Sequence, residues 1–155
     1  MNVRIIELEQ TVIYGVSKQF DGMNYSSKEE LRHIMWSEDC DFVPRRICDG
    51  YDGIWYGIWQ NGKYMIARKK DDVKTDDLET ALLPSGTYAA FRTERGGLAW
   101  EELPKLWDLI FDSWLPNSNY RKKDGPIVEV LHLWTDRAMR RKNRYYEIWV
   151  PIENK

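Results

Sequence analysis

Cysteine is scarce in this chain: Cys40 and Cys48 are the only two. Two cysteines cannot build a disulfide scaffold, and without a second pair or a neighbouring histidine they do not complete a zinc site, so both are expected to be free thiols. Histidine is equally sparse, and His33 and His132 lie in unrelated stretches. No G-x-S-x-G, H-E-x-x-H or P-loop pattern occurs, which argues against triad hydrolysis, metal-dependent hydrolysis and phosphate-loop nucleotide binding. No metal and no cofactor are expected. Long apolar runs are missing as well. Arg4, Glu7 and Glu9 interrupt the first ten residues where a signal peptide would need an apolar core, and nothing later resembles a membrane span, so a cytoplasmic protein without membrane contact is expected. Nor does either charge dominate. The formal net charge is −2 and the pI is near 5.8, which argues against direct binding of nucleic acid or of anionic membranes.

What the chain has in quantity is aromatic surface: eight Trp, nine Tyr and four Phe in 155 residues. That length suits one domain with its own core, spanning 1–155. Trp and Tyr combine an apolar body with a polar tip and are favoured where protein meets ligand or partner. A hollow lined by rings and a Trp-rich core are both consistent with this composition.

The order of elements repeats. Arg4 to Phe20, rich in β-branched residues and broken near Glu9 to Thr11, reads as a strand or kinked strand pair. Ser27 and Glu30 form a capping box ahead of Leu31, Ile34 and Met35 at helical spacing. Gly53 to Trp59 and Lys63 to Lys69 read as strands joined by a tight Asn61-Gly62 turn. Lys70 to Glu79 is charged and reads as an exposed connector. Beyond it, Gly86 to Thr93 reads as a strand, and Leu103, Leu106, Trp107, Ile110, Phe111, Trp114 and Leu115 follow the spacing of an amphipathic helix. Pro104 is expected in that helix's first turn and Pro116 at its end. Ile127 to Trp134 and Arg144 to Ile152 read as two final strands around a polar loop, Asp136 to Asn143. The fold class is therefore α+β: two strand-helix-strand-strand units, about 1–70 and 84–155, expected to join as one curved antiparallel sheet with two helices on one face and a ligand cleft on the other.

Four stretches are more specific than this pattern: Pro84-Ser85-Gly86-Thr87-Tyr88-Ala89-Ala90-Phe91, Ser113-Trp114-Leu115-Pro116-Asn117-Ser118-Asn119-Tyr120, Pro126-Ile127-Val128-Glu129-Val130, and Tyr146-Glu147-Ile148-Trp149-Val150-Pro151-Ile152. In order and spacing the chain resembles the GyrI-like small-molecule-binding superfamily, which includes effector domains of AraC- and MerR-type multidrug regulators and stand-alone integron-cassette effector-binding proteins. The resemblance implies a duplicated fold whose cleft binds bulky, often cationic aromatic molecules near a buried acidic residue. By motif, the family's acidic positions map onto Glu129 and Glu147, and its aromatic position onto Trp149. Val3 already lies in the first strand, so the DNA-binding segment that precedes the effector domain in regulators is not expected.

Strand alternation can be set against that implication. Glu129 shares a face with Leu131 and Leu133, and Tyr145 and Glu147 share one with Trp149. If the aliphatic faces pack on the helices, Glu129, Glu147 and Trp149 line the cleft, with Trp55 and Trp59 assigned to it too. Tyr88 and Phe91 are further wall candidates, although their spacing puts them on opposite faces of a regular strand. Solvated carboxylates and a packed Trp149 are the alternatives. Trp107 and Trp114 are read as core. Arg137, Arg140, Arg141, Lys142 and Arg144 read as a solvated loop rather than a phosphate site. The expected function is capture of a lipophilic cationic small molecule. No catalytic residue is assigned; if the chain follows the superfamily's cofactor-free hydrolases of DNA-alkylating compounds, Glu147 or Glu129 would activate water. A protein-partner module, like the gyrase-inhibitor relatives, or a homodimer, is the third reading.

Overall fold

The computed structural model describes residues 3–19, 54–69, 78–133 and 137–155. The first-half helix with its Ser27 and Glu30 box, both cysteines and residues 70–77 of the connector lie outside the described residues. Nine strands are present among those described: β1 (Val3–Leu8), β2 (Thr11–Gln19), β3 (Ile54–Gln60), β4 (Lys63–Arg68), β5 (Glu79–Leu83), β6 (Gly86–Arg92), β7 (Tyr120–Lys122), β8 (Ile127–His132) and β9 (Tyr145–Asn154). Helix α1 (Ala99–Asp108) continues without a break into a π-helical stretch, Leu109–Trp114, and a last turn, Leu115–Asn117; α2 (Arg137–Asn143) precedes β9.

All strand pairs are antiparallel, and the order across the sheet is β1-β6-β9-β8-β3-β4-β2-β5, with β7 on β9. That order is symmetric. Two three-stranded units, β6-β9-β8 and β3-β4-β2, meet where β8 pairs with β3. Each unit takes as its outer neighbour the strand leading into the other: β1 runs into β2 yet pairs with β6, while β5 runs into β6 yet pairs with β2. The expected break near Glu9 is thus the point where the chain leaves one unit for the other.

Local chemistry accounts for the joints. Asn61 and Gly62 have φ of 51° and 72°, the paired positive angles a two-residue hairpin loop needs to follow the strand twist. At Gly15 the reason is space: an added Cβ would lie 1.8 Å from the carbonyl oxygen of Ile66, where β2 lies against β4.

Both faces of the sheet are apolar. On the α1 side, Trp55, Trp59, Tyr64, Ile66, Phe91, Leu131, Ile148 and Val150 pack with Leu103, Leu106 and Ile110 of the helix region. On the opposite side, Ile13, Tyr56, Ile58, Met65, Leu83, Val128 and Val130 form a second cluster. The expected helix stripe holds, with Trp107, Phe111 and Trp114 against the first cluster.

Four sequence expectations change. Pro104 is not in the first turn, because α1 begins at Ala99 and holds Pro104 inside it; a proline there withholds one N–H from the ladder without ending the helix. Part of the expected stripe is π-helical, so the turn widens before Pro116, which sits within the final turn. The loop 136–143 contains α2, and Ala, Met, Arg and Lys are all good helix formers. β5 lies at the end of the charged connector as an edge strand with Leu83 its one buried residue.

Candidate ligand-binding site

The register of β8 decides where its carboxylate points. Glu129 pairs with Gly57 of β3 on one side and Ile148 of β9 on the other, and Ile148 belongs to the cluster under α1. Glu129 therefore faces the helix, fully buried at 0% exposure. The Trp107 indole Nε1–H, carried by α1, donates to Glu129 Oε2 at 2.8 Å. Leaving such a group buried is costly unless donors surround it.

The space beside Glu129 depends on a missing side chain. A Cβ at Gly57 would come 2.4 Å from the Tyr64 hydroxyl and 3.0 Å from Glu129 Oε1, so both polar atoms lie over the bare glycine backbone. Rings surround them in sequence. Trp59 lies on Tyr64 with centroids 4.2 Å apart and meets Trp107 edge-on at 6.1 Å, and Trp107 stacks on Phe111 at 5.2 Å. A cavity of about 460 Å³ opens beside Trp59, Trp107 and Ile127, with Pro84, Lys122 and Asp124 further round its wall. Buried Arg68 shares this face, its guanidinium 6.0 Å from the Trp55 ring centroid.

The second carboxylate occupies the opposite face. Glu147, 5% exposed, pairs across β8 with Val130 of the second cluster. Arg4 Nη2 donates to Oε1, and His132 Nε2 lies 2.9 Å from Oε2. Burial pushes the Glu147 carboxyl up, but the hydrogen bond and charge of His132, together with Arg4, outweigh it and hold the group below its ordinary value. His132 in turn stacks on Tyr145, centroids 4.2 Å apart. Trp149 meets Tyr56 edge-on at 6.2 Å, and its buried Nε1 has no hydrogen-bond partner among the described residues.

The expected single lining is thus divided by the sheet. Glu129, Leu131, Trp55, Trp59 and Phe91 lie on the α1 face, and Glu147, Trp149, Tyr145 and Tyr88 on the other. The pairing of faces was the error: Glu129 does share a side with Leu131 and Leu133, but that side is the one α1 covers. Trp55 and Trp59 follow the same correction. Phe91 packs on Trp114 at 4.9 Å rather than on the Trp59 ring series. Tyr88 donates its hydroxyl to the Pro84 carbonyl oxygen at 2.9 Å, and burial raises its pKa. Trp107 and Phe111 pack against the core as their helix stripe predicts, and their rings with those of Trp59 and Tyr64 lie on the Glu129 side of the sheet. For the contact of Trp107 with Glu129 the one available signal was chemical: an indole N–H on an otherwise apolar helix stripe calls for an acceptor, and Glu129 is one in a row of leucines.

The family model of integron-associated effector-binding proteins matches residues 4–152. The chain belongs to that family. Among curated sequences no relative matches. Solved structures similar to this effector-binding chain share its fold. A bacterial transcription regulation protein from Staphylococcus aureus is 17% identical with a TM-score of 0.70, covering 99% of each chain. The protein SAV2435, solved bound to tetraphenylphosphonium, is 15% identical with a TM-score of 0.67, over 99% of this chain and 94% of its own. An integron cassette protein from the Vibrio cholerae mobile metagenome is 14% identical with a TM-score of 0.61, over 97% and 95%. The curled antiparallel sheet expected of a GyrI-like domain is therefore that of this effector-binding family member. Among the described residues no helix is long and apolar enough to cross a membrane, and no group of three or more His, Cys, Asp or Glu residues could hold a metal.

Proposed function

We propose that the chain acts as one effector-binding domain, taking a lipophilic organic cation into the ring-lined pocket between α1 and the sheet, with Glu129 as its counter-charge. The observation that carries this reading is the fully buried Glu129 carboxylate, hydrogen-bonded by the Trp107 indole beside a cavity of about 460 Å³. A cation entering there would meet a carboxylate already removed from water, in a medium where charge attraction is less screened. Ring faces add about 0.5–2 kcal/mol each through cation–π contact, and apolar burial adds the rest without demanding one shape. Glu147 fits this role less well, because it lies on the face of the sheet opposite to α1 and this cavity. The tetraphenylphosphonium complex of SAV2435 supports the same ligand class by likeness of fold.

The test is tryptophan fluorescence titrated with tetraphenylphosphonium and with an uncharged analogue, triphenylmethanol. The expected result is saturable quenching by the cation that weakens by about tenfold or more in Glu129→Gln and stays near wild type in Glu147→Gln. Equal affinity for the uncharged analogue, or a Glu129→Gln protein that binds as well as wild type, overturns the reading.

A further inference from the structure

A second cavity, of about 570 Å³, lies where the end of β6 and the following turn meet α1. Its polar wall carries three cations, Arg92, Arg95 and Lys105, against Glu94 and Glu102. Lys105 Nζ lies 3.9 Å from Glu102 Oε1, an open pair. The apolar wall is Leu106 and Leu109, and Leu109 stands 42% exposed at the start of the π-helical stretch.

Both arginines lie against one ring. The Arg92 guanidinium lies 4.0 Å from the Tyr145 ring centroid, and that of Arg95 4.9 Å from it. A guanidinium held against a ring keeps in-plane N–H donors for other acceptors. Arg92 stands opposite Glu147 across the β6–β9 pair, but the oxygens of Glu147 go to Arg4 and His132, so among the described residues Arg92 has no carboxylate partner. Arg95 spends one donor on the Asn143 carbonyl at 3.2 Å. The turn after β6, which carries Arg95, is pinned by the Thr93 N–H to the Tyr146 carbonyl at 2.9 Å and the Gly96 N–H to the Arg144 carbonyl at 2.8 Å. Three cations and two leucines around one cavity match a ligand with an oxyanion at one end and a hydrocarbon at the other.

We propose that this cavity is a second ligand site, separate from the Glu129 pocket, for a small amphipathic carboxylate: its head on Arg92 and Arg95, its tail on Leu106 and Leu109. The site does not depend on the cation reading, since it shares no side chain with it.

Calorimetric titration with octanoate tests this, alongside octanol, which lacks the charge, and acetate, which lacks the tail. Octanoate is expected to bind saturably and more weakly as salt is raised, with octanol and acetate at least about tenfold weaker. Arg92→Gln and Leu109→Glu should each cost about tenfold or more, while Arg121→Gln, at an exposed arginine paired with Glu153, should change nothing. Leu109 is exposed, so Leu109→Glu decides the matter even where Arg92→Gln fails to fold. Octanol binding as well as octanoate, undiminished affinity in Leu109→Glu, or no saturable binding up to roughly 10 mM overturns the proposal.

Discussion

Replacing Trp107 with Phe isolates the hydrogen bond that ties α1 to Glu129. The ring remains able to stack on Phe111, but the Nε1–H that reaches Glu129 Oε2 at 2.8 Å is gone. A hydrogen bond to a charged acceptor contributes about 1.5–3 kcal/mol, and this acceptor, at 0% exposure, cannot recruit bulk water in exchange. Trimming indole to phenyl adds a smaller packing loss, so a total near 2 kcal/mol is expected. With a urea slope of about 2 kcal/mol/M for a chain of this size, the unfolding midpoint should fall by about 1 M. The pairwise part is read from a double-mutant cycle with Glu129→Gln, in which a coupling of about 1 kcal/mol or more is expected between the two sites. A Trp107→Phe protein within about 0.5 kcal/mol of wild type, with no coupling in the cycle, would refute the view that Trp107 supports a buried carboxylate.

Gly57→Ala places a methyl 2.4 Å from the Tyr64 hydroxyl and 3.0 Å from Glu129 Oε1; overpacking of this kind should cost about 1–3 kcal/mol in chemical denaturation and weaken tetraphenylphosphonium binding together with stability. Gly15→Ala meets a backbone carbonyl at 1.8 Å, which no side-chain rotation relieves, so a loss above about 3 kcal/mol or failure to express folded protein is expected. Glu147 titrates below its ordinary value of 4.5 in the folded state; its stabilisation is full above that value and disappears as pH falls through the lower folded one. The stability gap between wild type and Glu147→Gln, about 1–2 kcal/mol at neutral pH, should therefore close on acidification below 4.5, and a gap that persists there would contradict the assignment. Tyr146, buried with its hydroxyl on the Gly97 carbonyl at 2.8 Å, has its pKa pushed up to about 12, first by burial. Its contribution holds below 10.0 and is lost between there and about 12, so resonance-detected titration of Tyr146 below 11 would be the contrary result.

Much of the element order was legible in the residues because it rests on short-range chemistry. Asn61-Gly62 specifies its own turn, and the stripe from Leu103 to Trp114 specifies which side of α1 is apolar. Alternation in β8 correctly grouped Glu129 with Leu131 and Leu133. What alternation could not say was which group faces the helix, because Val128, Val130 and Trp149 make the opposite side of these central strands almost as apolar. A period of two separates the faces of a strand; it names neither when both are buried. That choice came from register, through the pairing of Glu129 with Gly57 and Ile148. The partners of Glu147 were equally out of reach of local reading. Arg4 is 143 residues away along the chain, and it arrives beside Glu147 only because β1 leaves its own unit to pair with β6, itself the neighbour of β9. The sequence alone determined that two carboxylates sit in apolar strands. Only the folded sheet decided that one faces a cage of rings and the other is closed off by an arginine and a histidine, since ion pairs and buried hydrogen bonds depend on distances that local periodicity does not encode.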